Sequence, residues 1–274
     1  NRNDEGQKMT KILLIGCGNM GHALLSAWQA MPTPPQVSIV DPTEALRDRA
    51  AKTGARTFAS AAEVPRDLEP DLVILAVKPQ VIGKVLPDYA HLDACFLSIA
   101  AGTTLASLQR GLDDKAIIRC MPNTPAAIGK GVFGIFANAR VTPAQNRMVR
   151  DVLEPCGIVL EVGSDEDIDR ITAISGSGPA YLFHFIEALA QAGRRIGLTD
   201  DVALAAARGT VFGAASLAEG ADEDAGQLRR NVTSPNGTTA AALEVLMGTD
   251  RMADLLTEAA EAAFGRAKAL AATE

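Results

Sequence analysis

The sequence predicts an α/β protein, a doubly wound and mostly parallel sheet followed by an all-helical C-terminal region. Two observations carry this. Up to about residue 163, short and almost continuously apolar runs alternate with helix-period segments, the pattern of parallel strands buried on both faces. Beyond it strand-like runs stop, and alanine-rich segments with apolar residues three and four positions apart take over.

Lys11–Gly16, Val37–Asp41, Asp71–Val77, Phe96–Ala100 and Ala116–Met121 read as strands rich in Val, Ile and Leu, with helices at His22–Met31, Glu44–Thr53 and Pro79–Ala90. Two more strands are expected at Gly131–Ala137 and Ile158–Val162, separated by a helix that Thr142 caps and Pro143 opens. A boundary near Gly163–Asp165 then divides the chain into domains 9–163 and 164–274. The second carries helices at Ala180–Ile196, Asp201–Ala218, Asp224–Asn231, Ala240–Met247 and Arg251–Leu270. Apolar positions on more than one face of these helices imply burial against a second subunit, with packing inside the chain as the alternative.

Composition narrows the function classes. Twenty-six basic against 33 acidic residues give a net charge of −7, which argues against a nucleic-acid binder. No apolar run approaches the roughly 18 residues of a membrane span. The polar stretch 1–8 shows no signal-peptide pattern, and Met9 is expected to be the natural start. Cys17, Cys95, Cys120 and Cys156 are scattered without CxxC spacing, as expected of buried thiols in a reducing cytoplasm. No His/Asp/Glu cluster has metal-ligand spacing.

Gly16-Cys17-Gly18-Asn19-Met20-Gly21 follows the first strand and opens a helix, which is G-x-G-x-x-G in its diagnostic context. Gly16 permits the tight turn, Gly18 lets the backbone approach a pyrophosphate, and Gly21 lets helix and strand pack closely. The helix start supplies N–H groups to the anion. Asp41, twenty positions after Gly21, is expected to hold the adenosine ribose hydroxyls and to disfavour a 2′-phosphate, with Arg47 and Arg49 offsetting this in part. On that count the sequence leans towards NADH or dual use. The alternative is that Asp41-Pro42-Thr43 simply makes a turn. Val77-Lys78-Pro79 and Ala100-Ala101-Gly102 end two strands at the edge where such a sheet binds its cofactor, Lys78 offering a cation to the nucleotide.

Six ordered segments resemble those of the pyrroline-5-carboxylate reductases, from Lys11 to about Leu270. They are Ile15–Gly21, Ala76–Gln80, Ser98–Gly102, Arg119–Pro125, Ser175–Tyr181 and, most diagnostic, Ser234-Pro235-Asn236-Gly237-Thr238-Thr239. The resemblance implies an N-terminal Rossmann domain and a helical dimerisation domain. It implies homodimers that assemble in some members into decamers of five dimers, and reduction of 1-pyrroline-5-carboxylate to L-proline with NADPH or NADH. Two positions depart from the family pattern. Asn236 replaces the first glycine of Ser-Pro-Gly-Gly, a substitution that left-handed backbone tolerates. Asp41 replaces a small hydroxyl residue common in members that prefer NADPH.

By the same resemblance Ser234, Gly237, Thr238 and Thr239 hold the substrate carboxylate at a helix N-terminus, and the Thr239 hydroxyl is the candidate hydrogen-bond partner of the ring nitrogen. Read without the family, the loop is equally an ordinary helix cap. A threonine is a poor general acid, so Thr239 is expected to position the nitrogen or relay a proton from water, most of the rate coming from orientation. Asn231 is expected to contact cofactor or substrate. Ser175–Tyr181 and Met121–Pro125 are each either cofactor-side segments or rigid turns. Two rivals remain. A β-hydroxyacid dehydrogenase would place a lysine on the first long helix of the second domain, where Ala180–Ile196 has none. A non-catalytic nucleotide-binding regulator would have no need of Ser234–Thr239.

Overall fold

The computed structural model describes residues 9–272; the segment 1–8, with the expectation attached to it, lies outside the described residues. Eight strands form one sheet: β1 (Lys11–Ile15), β2 (Gln36–Val40), β3 (Arg56–Phe58), β4 (Leu72–Leu75), β5 (Cys95–Ser98), β6 (Ile117–Met121), β7 (Gly131–Ala137) and β8 (Gly157–Glu161). Their spatial order is β3-β2-β1-β4-β5-β6-β7-β8, parallel except between β6 and β7. The order reverses direction between β1 and β4, which creates the crevice where α/β sheets bind nucleotides. α1 (Asn19–Gln29), α2 (Glu44–Ala51), α3 (Pro79–Tyr89), α4 (Leu105–Leu112) and α5 (Pro143–Leu153) connect the strands.

Both faces of the sheet are buried at its central strands β1, β2, β4 and β5, as their continuous apolar runs require. Ile12 and Leu14 enter a core with Leu24, Trp28, Ile39 and Phe133. Leu13 and Ile15 enter another with Leu86, Phe96, Leu105 and Leu108. Trp28 Nε1 donates to the Val152 carbonyl at 2.8 Å, tying α1 to α5. α5 starts as its sequence demands: the Thr142 hydroxyl accepts from Gln145 N, and the Gln145 side chain returns the bond. The sequence missed β3, a three-residue strand at the sheet edge, and α4.

By packing, the chain divides later than the expected boundary at residues 163–164. One compact unit runs to Ser177 and includes the chain from Ala263 onward; the other is Gly178–Ala262. The reason lies in α6 (Asp165–Ile171), which docks on the sheet. Arg119 of β6, only 2 % exposed, donates from Nη1 to Asp165 and from Nη2 to Asp169, each at 2.7 Å. Asp165 also accepts from Leu105 N at the start of α4. A buried guanidinium without carboxylates would be strongly unfavourable, so α6 is held to the strands. Ile171 covers Gly134, where any Cβ would meet its side chain at 2.8 Å.

The helical unit contains α7 (Gly178–Arg195), α8 (Asp200–Gly220), α9 (Ala225–Asn231), α10 (Thr238–Met247) and most of α11 (Arg251–Ala271). α7 and α8 pack tightly at Gly193, where a Cβ would approach that of Ala203 to 3.2 Å. Among the described residues of this unit only Ala190, Ala203 and Ala207 are buried, while Phe183 is 61 % and Phe212 76 % exposed. No helix among the described residues is long and apolar enough to cross a membrane.

Candidate active site

The glycine loop sits at the crevice between β1 and β4. Gly16 takes a φ of +91°, and a Cβ there would lie 2.7 Å from the Ala76 carbonyl oxygen. Only glycine lets the two strand ends pass so closely. At Gly21 a Cβ would fall 2.6 Å from the Gly16 oxygen, whereas at Gly18 it would meet nothing within 4 Å. Gly18 is the N-cap of α1 and no side chain caps the helix, so the N–H groups of Asn19, Met20 and Gly21 have no intrahelical acceptor. This uncapped start beside open space fits a diphosphate.

Asp41 directly follows β2. It is 5 % exposed. Its Oδ2 accepts from Cys17 N and its Oδ1 from Thr43 N, both at 2.8 Å. The carboxylate therefore closes the turn into α2 and braces the glycine loop, which leaves it little surface for a ribose. Arg47 donates to the Asp41 carbonyl at 2.8 Å, and Arg49 donates to the carbonyls of Cys17 and Gly18 at 2.8 and 3.3 Å. Burial and the neighbouring Arg49 charge both lower the His22 pKa.

The other expected cofactor segments lie on the same edge. Val77 flanks Gly16, and exposed Lys78 is the N-cap of α3, with Pro79 at its first position. Ala100 is buried and Ala101 exposed. Gly102 adopts a φ of +80°, and a Cβ there would touch Leu270 of α11 at 3.4 Å. The small residue thus admits the end of α11, a use the sequence did not suggest. A groove of about 850 Å³ lies beside it between α3 and α4, lined by Pro79, Gln80, Ala101, Arg110 and Leu270.

After β6, buried Asn123 joins two segments. Its Oδ1 accepts from Val132 N at 2.8 Å, and its Nδ2 donates to the Ser175 carbonyl at 3.0 Å. Ser175 belongs to a π-helical turn, Thr172–Gly176, a wide turn that recurs at functional sites. Met121 packs so closely on Gly176 that a Cβ there would lie 2.8 Å from its Cε. Met121–Pro125 and the turn before α7 are therefore locked together. The signal for the Arg119 cluster was present in the sequence: a charged residue inside Ile-Ile-Arg-Cys-Met must find buried partners.

In the helical unit, Ser234–Thr239 leads into another helix whose N-cap is a glycine without a side-chain cap. Gly237 N donates to the Ser234 carbonyl at 3.1 Å, closing a turn in which Asn236 takes a φ of +57°. Gly237 is the N-cap of α10 without a side-chain cap, and a Cβ on it would collide with Ser234 Oγ. Thr238 and Thr239 thus present N–H groups and hydroxyls at the start of α10. Thr238 is exposed and Thr239 half-buried. Asn231 ends α9, its Oδ1 accepting from Gln227 at 2.7 Å. Among the described residues no group of His, Cys, Asp or Glu could hold a metal ion.

Comparison with known proteins agrees with this arrangement. Residues 165–270 match the family model described as pyrroline-5-carboxylate reductase dimerisation. Residues 11–102 match the model described as NADP oxidoreductase coenzyme F420-dependent. The chain is 38 % identical to a pyrroline-5-carboxylate reductase of Pseudomonas aeruginosa, over 95 % of this chain and 97 % of the relative. Among solved structures it resembles a pyrroline-5-carboxylate reductase from Coxiella burnetii at 34 % identity and a TM-score of 0.90, over 96 % and 99 % of the two chains. The Plasmodium falciparum pyrroline carboxylate reductase with NADP bound matches at 30 % identity and a TM-score of 0.81, over 97 % and 100 %. On identity sustained over nearly its whole length, the chain belongs to the pyrroline-5-carboxylate reductase family.

Proposed function

We propose that the chain reduces the C=N bond of 1-pyrroline-5-carboxylate with NADPH or NADH, giving L-proline, the last step of proline biosynthesis. The names of its relatives support this, and one observation carries it: an uncapped helix start at Ser234–Thr239 whose glycine admits no side chain. Such a start suits an amino-acid carboxylate. Gly16, Gly18, Asn19, Met20 and Gly21 hold the coenzyme diphosphate, with Val77, Lys78, Pro79, Ala100, Ala101 and Gly102 along the same sheet edge. The coenzyme supplies the hydride.

Ser234, Gly237, Thr238 and Thr239 bind the substrate carboxylate, and Asn231 lies at the edge of that site. The Thr239 hydroxyl orients the ring nitrogen; with an ordinary hydroxyl pKa it acts by position rather than acid strength. Protomers pair through the helical unit, whose exposed aromatic and aliphatic residues need cover. Five such dimers form a decamer, which sedimentation velocity measures. Four unpaired, buried cysteines suit a reducing cytoplasm.

The test is loss of NAD(P)H absorbance on adding 1-pyrroline-5-carboxylate; no loss with either coenzyme overturns the assignment in favour of a nucleotide-binding regulator. Thr239→Ala should lower kcat by about 10²-fold, the scale of a lost positioning contact, with coenzyme affinity nearly unchanged. An unchanged kcat removes Thr239 from the mechanism.

A further inference from the structure

We propose that Asp41 and Arg49 are positioning residues that clamp the glycine loop from two sides, so that Asp41 controls coenzyme affinity without reading the 2′ position of the ribose. The proposal rests on the nucleotide site described above and concerns what holds that site in shape.

The clamp is built on Cys17, the residue between the first two glycines of the motif. Its N–H donates to Asp41 Oδ2, and its carbonyl accepts from Arg49 Nη2, each at 2.8 Å. The peptide joining Cys17 to Gly18 is planar and trans, so its C=O and N–H point in opposite directions. Fixing the Cys17 carbonyl on the guanidinium aims the Gly18 N–H away from Arg49. The weaker contact of Arg49 with the Gly18 carbonyl, at 3.3 Å, aims the Asn19 N–H in the same manner. Gly16 is anchored separately, its N–H donating to the Val40 carbonyl at 2.8 Å. The loop's donors are thereby set before any anion arrives, and a preorganised donor set binds more tightly than one ordered by its ligand.

The same bonds remove Asp41 from the discrimination its position suggests. Its two oxygens are occupied by backbone N–H groups and it is almost wholly buried. Arg47 and Arg49, both half-buried, bond within the same cluster. Within this bonded cluster two guanidiniums stand against the one carboxylate, so Asp41 presents no uncompensated negative charge to a 2′-phosphate. NADPH and NADH should both be accepted.

The experiment measures dissociation constants for NADPH and NADH by nicotinamide fluorescence, well below the melting temperature, for wild type, Asp41→Ser, Asp41→Asn and Arg49→Gln. Asp41→Ser should weaken both coenzymes together, on the order of tenfold, leaving their ratio within about twofold. Asp41→Asn, which keeps one carbonyl acceptor, should restore part of the loss. Arg49→Gln should likewise weaken both. A role in stability alone would lower the melting temperature and leave these constants unchanged, which overturns the clamp. Asp41→Ser that tightens NADPH while weakening NADH also overturns it, in favour of ribose reading. If Asp41→Ser does not fold, Arg49→Gln decides: unchanged constants for both coenzymes overturn the proposal. Wild type that binds neither coenzyme defeats the nucleotide assignment itself, a separate result.

Discussion

Among the described residues two helix starts combine a glycine N-cap with no side-chain cap, and they are built differently. At Gly18 the loop is braced by Asp41 and Arg49 and backed by Cys17, which is fully buried. At Gly237 the loop is exposed on the helical unit and closed by one turn bond from Gly237 N to Ser234, with left-handed Asn236 at its tip. The contrast separates two ways of building a proposed anion cradle. The residues of the first all lie within the sheet unit. The second presents its donors on the helical unit, at residues few other parts of that unit cover.

The largest effect should come from the exposed cradle. Gly237→Ala places a Cβ against Ser234 Oγ and should cut kcat/KM about 100-fold, the scale of losing one well-placed oxyanion donor, with NADPH affinity unchanged. Equal losses in both would erase the division of labour between the two starts. Next comes Gly18→Val. Its Cβ enters open space and the backbone φ is −63°, so the melting temperature should hold while coenzyme affinity falls about tenfold through blocked approach. A lowered melting temperature with intact affinity would show that the space serves folding instead.

The smallest response is expected of the thiols. Burial pushes Cys95 and Cys156 up to about 12 and raises Cys17 and Cys120 as well. Raised values keep the thiols protonated, and therefore unreactive, at pH 8. A disulfide reagent should titrate none of the four in the native protein and all four in denaturant. Rapid native labelling of Cys17 would show that the braced loop opens to solvent.

The glycine loop was legible because its demands are local. A positive φ at Gly16 and a crowded Gly21 follow from a strand turning directly into a helix, and both leave a mark in the sequence. The side-chain direction of Asp41 was not legible. Its place after β2 is the same whether it faces a ribose or turns inward to Cys17 N, and the choice depends on a side-chain rotation. β3 escaped because three residues, Arg-Thr-Phe, are too few for a period to show. The boundary at residue 163 was read from the end of strand-like sequence, yet α6 stays with the sheet because Arg119, 46 positions earlier, needs Asp165. A pairing at that separation has no periodic signature. Asn123 is similar, one amide side chain reaching both Val132 and Ser175.

The helical unit has a further consequence. Three alanines are the whole of its fully buried apolar complement among the described residues, so association through its uncovered apolar faces contributes to the free energy that orders it. Its folding is then linked to protomer concentration by mass action. Dilution alone would loosen the unit that carries Ser234–Thr239 while the sheet keeps its shape. In a dilute cell extract, catalysis would disappear before nucleotide binding does.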